Sequence, residues 1–131
     1  MSRPPSRHPT ELELLILKIL WQDSPKLARD IQAELTKKRR KLAKTSVITT
    51  LNTMVDKKYL KRTPKGNAYL FWPTVTDATV SGRVLGDVVD RVFDGSPSAV
   101  MLKLFDVKDV DSDELKELRR IINRKLKGES E

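Results

Sequence analysis

Thr45-Ser-Val-Ile-Thr-Thr-Leu-Asn-Thr-Met-Val-Asp-Lys57 is the stretch whose reading decides the fold. Wound as a helix at about 100° per residue and centred on Leu51, it places Val47, Ile48, Met54 and Val55 on one side. Ser46, Thr49 and Thr53 fall opposite, with Asp56 and Lys57 close by and Thr50 and Asn52 on the flanks. One face reads as core and the other as a row of small hydroxyl and amide groups. Thr45 suits the N-cap of such a helix. Short polar side chains can hydrogen-bond base edges or phosphates, and a threonine methyl can meet a thymine methyl in the major groove. The plain alternative is a solvated face. Threonine is a mediocre helix former, however, and stability alone would favour Ala, Glu or Lys there.

The chain on either side of this helix completes a plan. Upstream, Thr10-Glu-Leu-Glu13 fits a capping box. Leu12, Leu15, Ile16, Ile19 and Leu20 follow at helical spacing, and Leu14, Leu17 and Trp21 widen the apolar face. Asp23-Ser-Pro25 ends that helix. A second helix is expected from Leu27 or Ala28 to about Lys37, with Ala28, Ile31 and Leu35 inward. Five consecutive cations, Lys37-Lys-Arg-Arg-Lys41, lead into the third helix. Downstream, Tyr59–Thr63 and Ala68–Trp72 read as strands joined by the turn signal Pro64-Lys-Gly-Asn67. Three helices and a hairpin make a winged helix-turn-helix. Tyr69, Phe71 and Trp72 are expected to pack beneath the hairpin, the alternative being stacking platforms for single strands.

Residues 77–131 read as helical throughout. Val80, Val84, Leu85, Val88, Val89, Val92 and Phe93 mark a helix from Thr79 to about Phe93, although Gly82 and Gly86 disfavour it. Ser96-Pro97 opens a short helix with Val100, Met101, Leu104 and Phe105 inward. Asp111-Ser-Asp-Glu114 starts a last one, with acids at its positive end and Leu115, Leu118, Ile122 and Leu126 along one side. The expected fold is therefore mainly α with a small β-hairpin: a flexible leader over 1–9, a winged helix-turn-helix over 10–76 and a helical dimerisation segment over 77–131.

Charge divides the chain at the same place. Residues 1–76 hold 16 Lys/Arg against 6 Asp/Glu, a net +10, and residues 77–131 hold 10 against 12, a net −2. The first part thus carries the whole basic excess of a chain with formal charge +8. Such a field attracts polyanions. With no cysteine and the single histidine His8, no disulfide, thiolate zinc site, cysteine nucleophile or histidine triad can be built. The carboxylates Asp106, Asp109, Asp111, Asp113 and Glu114 cluster at a helix start, where capping explains them, and no EF-hand pattern is present. Neither a cofactor nor a metal is expected, and the chain is not read as an enzyme. No apolar run has the roughly 20 residues of a membrane span. The first residues lack the apolar stretch of a secretory signal, so the expected location is cytoplasmic.

The candidate DNA contacts are Lys44, Thr45, Ser46, Thr49, Thr50, Thr53, Lys57, Arg62, Lys65 and Asn67. Lys61 joins them as a wing cation. Cations of the wing and of the loop before the third helix would hold phosphates, which fixes register without reading sequence. The candidate dimerisation residues are Val88, Val92, Leu102, Phe105, Leu115, Leu118 and Ile122, since three short helices hold too many apolar side chains to hide alone. The competing reading is a winged module that uses its basic face on an acidic protein partner.

Two stretches carry a resemblance to a known family. They are Thr10-Glu-Leu-Glu-Leu-Leu-Ile-Leu-Lys-Ile-Leu-Trp21 and Thr45-Ser-Val-Ile-Thr-Thr-Leu-Asn-Thr-Met-Val-Asp-Lys-Lys-Tyr-Leu-Lys-Arg62. Both resemble the bacterial penicillinase and methicillin-resistance repressors, which include copper-responsive repressors. Phe93-Asp-Gly95, Leu102 to Phe105 and Glu114-Leu-Lys-Glu-Leu118 are similar as well, so the resemblance spans roughly residues 10–126. It implies a dimer on a palindromic operator, with interleaved C-terminal helices and with Ser46, Thr49, Thr50 and Arg62 near double-stranded DNA. Some members are inactivated by cleavage at an Asn-Phe bond; the corresponding position here reads Lys103-Leu104. Copper-responsive members use Cys-x-Cys pairs, which this chain lacks. The inducer, and any protease that would release the DNA, are left open.

Overall fold

The computed structural model describes residues 8–128; the leader expected over 1–9 lies mostly outside them, as do residues 129–131. The elements in chain order are α1 (Glu11–Gln22), β1 (Lys26–Leu27), α2 (Ala28–Lys37), α3 (Lys44–Asp56), β2 (Leu60–Lys65), β3 (Ala68–Pro73), α4 (Asp77–Val92), α5 (Pro97–Val107) and α6 (Ser112–Leu126). The protein is mainly helical with one small antiparallel sheet, a winged helix-turn-helix followed by C-terminal helices. It forms two compact units, one running to Leu85 and one from Gly86.

In the first unit α1 supplies more of the buried core than any other helix. Its capping box is complete: the Glu13 N–H donates to Thr10 Oγ1 at 3.1 Å, and the Thr10 N–H donates to Glu13 Oε1 at 2.9 Å. Ile16, Leu17, Ile19 and Leu20 then bury fully against Ile31 and Leu35 of α2, Val47, Leu51 and Met54 of α3, Leu60, Phe71 and Val80. Each fully buried aliphatic side chain contributes about 1.5–3 kcal/mol relative to exposure. The Trp21 indole N–H donates to the Val75 carbonyl at 2.8 Å, which ties the end of α1 to the chain leaving the sheet.

Three local expectations are corrected. Thr45 does not cap α3: the N-cap is Ala43, the helix starts at Lys44, and no side chain caps it. The start is set instead by long-range anchoring of the preceding loop. The Gln32 amide donates to the Leu42 carbonyl at 2.9 Å, and Leu42 packs on the core. Ile48, expected in the core, is 36% exposed. The third correction is a missed strand. Lys26 and Leu27 pair antiparallel with Phe71 and Leu70, giving a three-stranded sheet of order β1-β3-β2. Two residues are too few to show alternation in a sequence.

The hairpin runs further than the turn signal suggests, with Pro64 and Lys65 still paired to Tyr69 and Ala68. The turn itself is Gly66-Asn67. Gly66 has φ +61° and Asn67 is not left-handed, the pattern of a type II′ hairpin. Space for a Cβ at Gly66 is open, so only the backbone conformation opposes a side chain there. Gly66→Ala is expected to cost about 1 kcal/mol, readable as a lowered melting temperature with unchanged helix content.

The second unit begins within α4. Ser96 caps α5 by accepting the Ala99 N–H at 3.2 Å, and Asp111 caps α6 by accepting the Glu114 N–H at 2.9 Å. No residue of α5 or α6 is buried. Met101, Leu104 and Phe105, expected inward, are each about half exposed, and only Val100 is partly covered. Three short helices lack the volume to enclose them, since small units bury a low fraction of their surface. Val88 is partly buried, whereas Val92, Leu102, Phe105, Leu115, Leu118 and Ile122 are between 40% and 67% exposed.

Candidate nucleic-acid interface

α3 presents two different surfaces because its buried stripe, Val47-Leu51-Met54, occupies only one side. Lys44, Thr45, Ser46, Thr49, Asn52 and Thr53 are exposed, and Thr50 is half-buried. Two of the hydroxyls are already committed as donors. Thr50 Oγ1 donates to the Ser46 carbonyl at 2.9 Å and Thr53 Oγ1 to the Thr49 carbonyl at 3.0 Å. Their free lone pairs can only accept, which suits the amino group of adenine or cytosine and not a phosphate oxygen. Thr45, Ser46 and Thr49 have no such commitment and can donate or accept.

The wing is braced against this helix. Arg62 Nη1 donates to Asn52 Oδ1 at 2.6 Å, and the same guanidinium lies over the Tyr69 ring, 4.8 Å from its centroid. On the other face of the hairpin, Lys61 lies over the Trp72 ring at 5.6 Å, and the Trp72 N–H donates to Thr63 Oγ1 at 3.1 Å. The three aromatic residues therefore differ. Phe71 is buried, Trp72 is partly covered, and Tyr69 is 45% exposed with Arg62 stacked on it.

Between the start of α2, the outer side of α3 and the wing lies a groove of about 650 Å³. Its floor is apolar, formed by Leu27, Ala28, Ile48, Ala68 and Phe71. Arg29, Lys44, Arg62 and Lys65 surround it, joined by Asn52, Asn67 and Tyr69. No carboxylate lines it. Arg29, Lys44 and Lys65 make no ion pair among the described residues, so the field in the groove is uncompensated. In the basic loop, Lys37 pairs with Glu34 at 3.3 Å and Arg40 with Glu11 at 3.7 Å, whereas Lys38, Arg39 and Lys41 remain exposed.

Of the residues singled out from the sequence, the structure brings Lys44, Arg62, Lys65 and Asn67 to one groove. It leaves Thr45, Ser46, Thr49 and Thr53 open on the adjoining face. Lys57 is placed otherwise. Its ammonium lies 3.0 and 3.1 Å from the two carboxylate oxygens of Glu13, and that residue is 2% exposed. The side chain that a helical wheel puts beside the hydroxyl row thus clamps the end of α3 to the start of α1. Burial, then the Glu13 carboxylate, pushes the Tyr59 phenol beside this pair up from its usual value, against Lys57 and Arg83, which keeps it neutral. Arg29, Ile48 and Tyr69 were missed as groove residues. The position of Arg29 in the first turn of α2 was the available signal for the first of them.

The sequence pattern of the family described as penicillinase repressor matches residues 9–124. Among curated relatives, the methicillin resistance regulatory protein MecI of Mammaliicoccus sciuri is 25% identical over 111 residues, covering 84% of this chain and 89% of that protein. The proteins of the same name from Staphylococcus aureus strain N315 and Staphylococcus epidermidis are each 24% identical over 111 residues, with the same coverage. No helix among the described residues is long and apolar enough to cross a membrane. A match over most of its length, on a winged helix-turn-helix with C-terminal helices, makes this chain a member of the penicillinase repressor family of transcriptional repressors.

Proposed function

We propose that the protein is a cytoplasmic, sequence-specific DNA-binding repressor that acts as a homodimer on a palindromic operator. The observation that carries this reading is the groove of four cations and no carboxylate, set against the open hydroxyl face of α3. Arg29, Lys44, Arg62 and Lys65 hold phosphates, which fixes the register of the helix on the duplex. Thr45, Ser46 and Thr49 reach base edges as donors or acceptors, and Thr50 and Thr53 as acceptors. Asn67 at the hairpin tip extends the contact beyond the helix. Lys57 contributes by holding α3 and not by touching DNA. Residues 10–76 carry these contacts and residues 77–131 join two copies.

Two recognition helices related by a two-fold axis meet successive major grooves about 34–36 Å apart. A single half-site offers too few contacts for a lasting complex, so whatever loosens the dimer releases the operator. Repression follows from occupancy of the promoter.

The test is a salt titration on duplex DNA. Four phosphate-binding cations per subunit give about eight per dimer, and affinity then falls on the order of 10⁴-fold between 50 and 200 mM salt. The protein is also expected to retain one enriched sequence against a large excess of random competitor. A shallow salt slope with no sequence preference would instead identify a module for an acidic protein partner.

A further inference from the structure

Ile48 is the one large apolar side chain of α3 left in the open, at 36% exposure where the core side of the helix meets the groove. It sits one turn after Lys44 and one turn before Asn52, and all three line the groove. The wing leaves it open to the groove, whose floor it shares with Ala68 and Phe71, and the Tyr69 ring at the rim is engaged by the Arg62 guanidinium. Arg62 also occupies the Asn52 carbonyl oxygen, which leaves the Asn52 amide N–H groups free to donate. Of the helix neighbours three or four positions away on its exposed side, Thr45 is short, and Lys44 and Asn52 line the groove beside it.

An exposed isoleucine gains only when apolar surface covers it. In the major groove the one apolar group that a base pair displays is the 5-methyl of thymine. We infer that Ile48 is a specificity-determining residue that packs on a thymine 5-methyl in each half-site, with Asn52 donating to an acceptor on a neighbouring base. The inference rests on the proposed DNA-binding function and adds to it the identity of a base and the side chain that reads it. It also gives the Arg62–Asn52 hydrogen bond a consequence, because it sets which end of the Asn52 amide faces the bases.

The experiment begins with duplexes selected from a random-sequence pool by the full-length protein. Each thymine of the recovered site is then replaced in turn by deoxyuridine, which removes the methyl and preserves pairing. One position per half-site is expected to weaken binding about four-fold, as burial of a single methyl group predicts, and about 15-fold when both half-sites are changed. Ile48→Ala is expected to bind the thymine and deoxyuridine duplexes equally, whereas Ile48→Val keeps most of the difference. Melting curves of both variants check that the fold is intact. An enriched site with no methyl-sensitive thymine overturns the inference and leaves the repressor reading standing, as does an Ile48→Ala variant that still discriminates. If no duplex is enriched, the repressor reading falls and takes the inference with it.

Discussion

Leu118→Glu is expected to lower operator affinity at least 100-fold at nanomolar protein, and to lose that effect as protein concentration rises. The argument starts from the second unit. Its helices α5 and α6 are properly capped, by Ser96 and Asp111, yet none of their residues is buried. Leu102, Phe105, Leu115, Leu118 and Ile122 remain 40–67% exposed. Exposed apolar side chains in that number mark an interaction site, and the proposed occupant is the same surface of a second copy. A carboxylate placed there must be desolvated without a partner, which costs several kcal/mol. In the proposed complex each operator half-site binds through one subunit, so loss of the dimer is expected to appear as loss of affinity. Glutamate is a good helix former and position 118 is exposed in the single chain, so α6 itself should persist. Sedimentation would report a smaller species, and gel-shift titration a steeper concentration dependence. A variant that sediments and binds like the parent would remove α6 from the interface.

Glu13→Ala should be the most damaging single change to a charged side chain of the first unit. The carboxylate is 2% exposed and has two tasks: it accepts the Thr10 N–H at 2.9 Å, and it faces the Lys57 ammonium at 3.0 and 3.1 Å. Removing one partner of a buried pair typically costs about 3–5 kcal/mol, because the other charge is stranded. Lys57 keeps 18% side-chain exposure and can reach some water, which argues for the lower end, about 3 kcal/mol. For a unit of this size that is a fall of roughly 15 °C in melting temperature. Adding Lys57→Met to the variant should return part of the loss, since no buried charge is then left alone. Equal melting of Glu13→Ala and the parent would mean that the pair contributes nothing. A stable Glu13→Ala protein with weakened DNA binding would show instead that the clamp sets the pose of α3.

Much of this was legible before folding. The capping box at Thr10 and Glu13, the apolar stripe of α1 and the two faces of α3 all follow from residues three or four positions apart. So do the Gly-Asn hairpin tip and the caps Ser96 and Asp111. Neighbours along the chain set such features, so periodicity and capping chemistry reveal them. The basic excess of residues 1–76 was equally plain, because a sum of charges does not depend on where the charges go.

Other features depended on what lies across the fold. Glu13 and Lys57 are 44 positions apart, and only the packing of α1 on α3 tells whether that lysine faces DNA or a buried carboxylate. The same wheel that correctly buries Val47 and Leu51 puts Ile48 inside, because a wheel cannot know how far a neighbouring sheet extends over a helix. Arg62 gains its partners, Asn52 and Tyr69, from two different elements, and the two-residue strand at Lys26 exists only because Phe71 and Leu70 lie beside it. Local order was thus encoded locally. The groove, its uncompensated charge and the exposed isoleucine within it arose from the meeting of distant segments, whose mutual distances no short window of sequence contains.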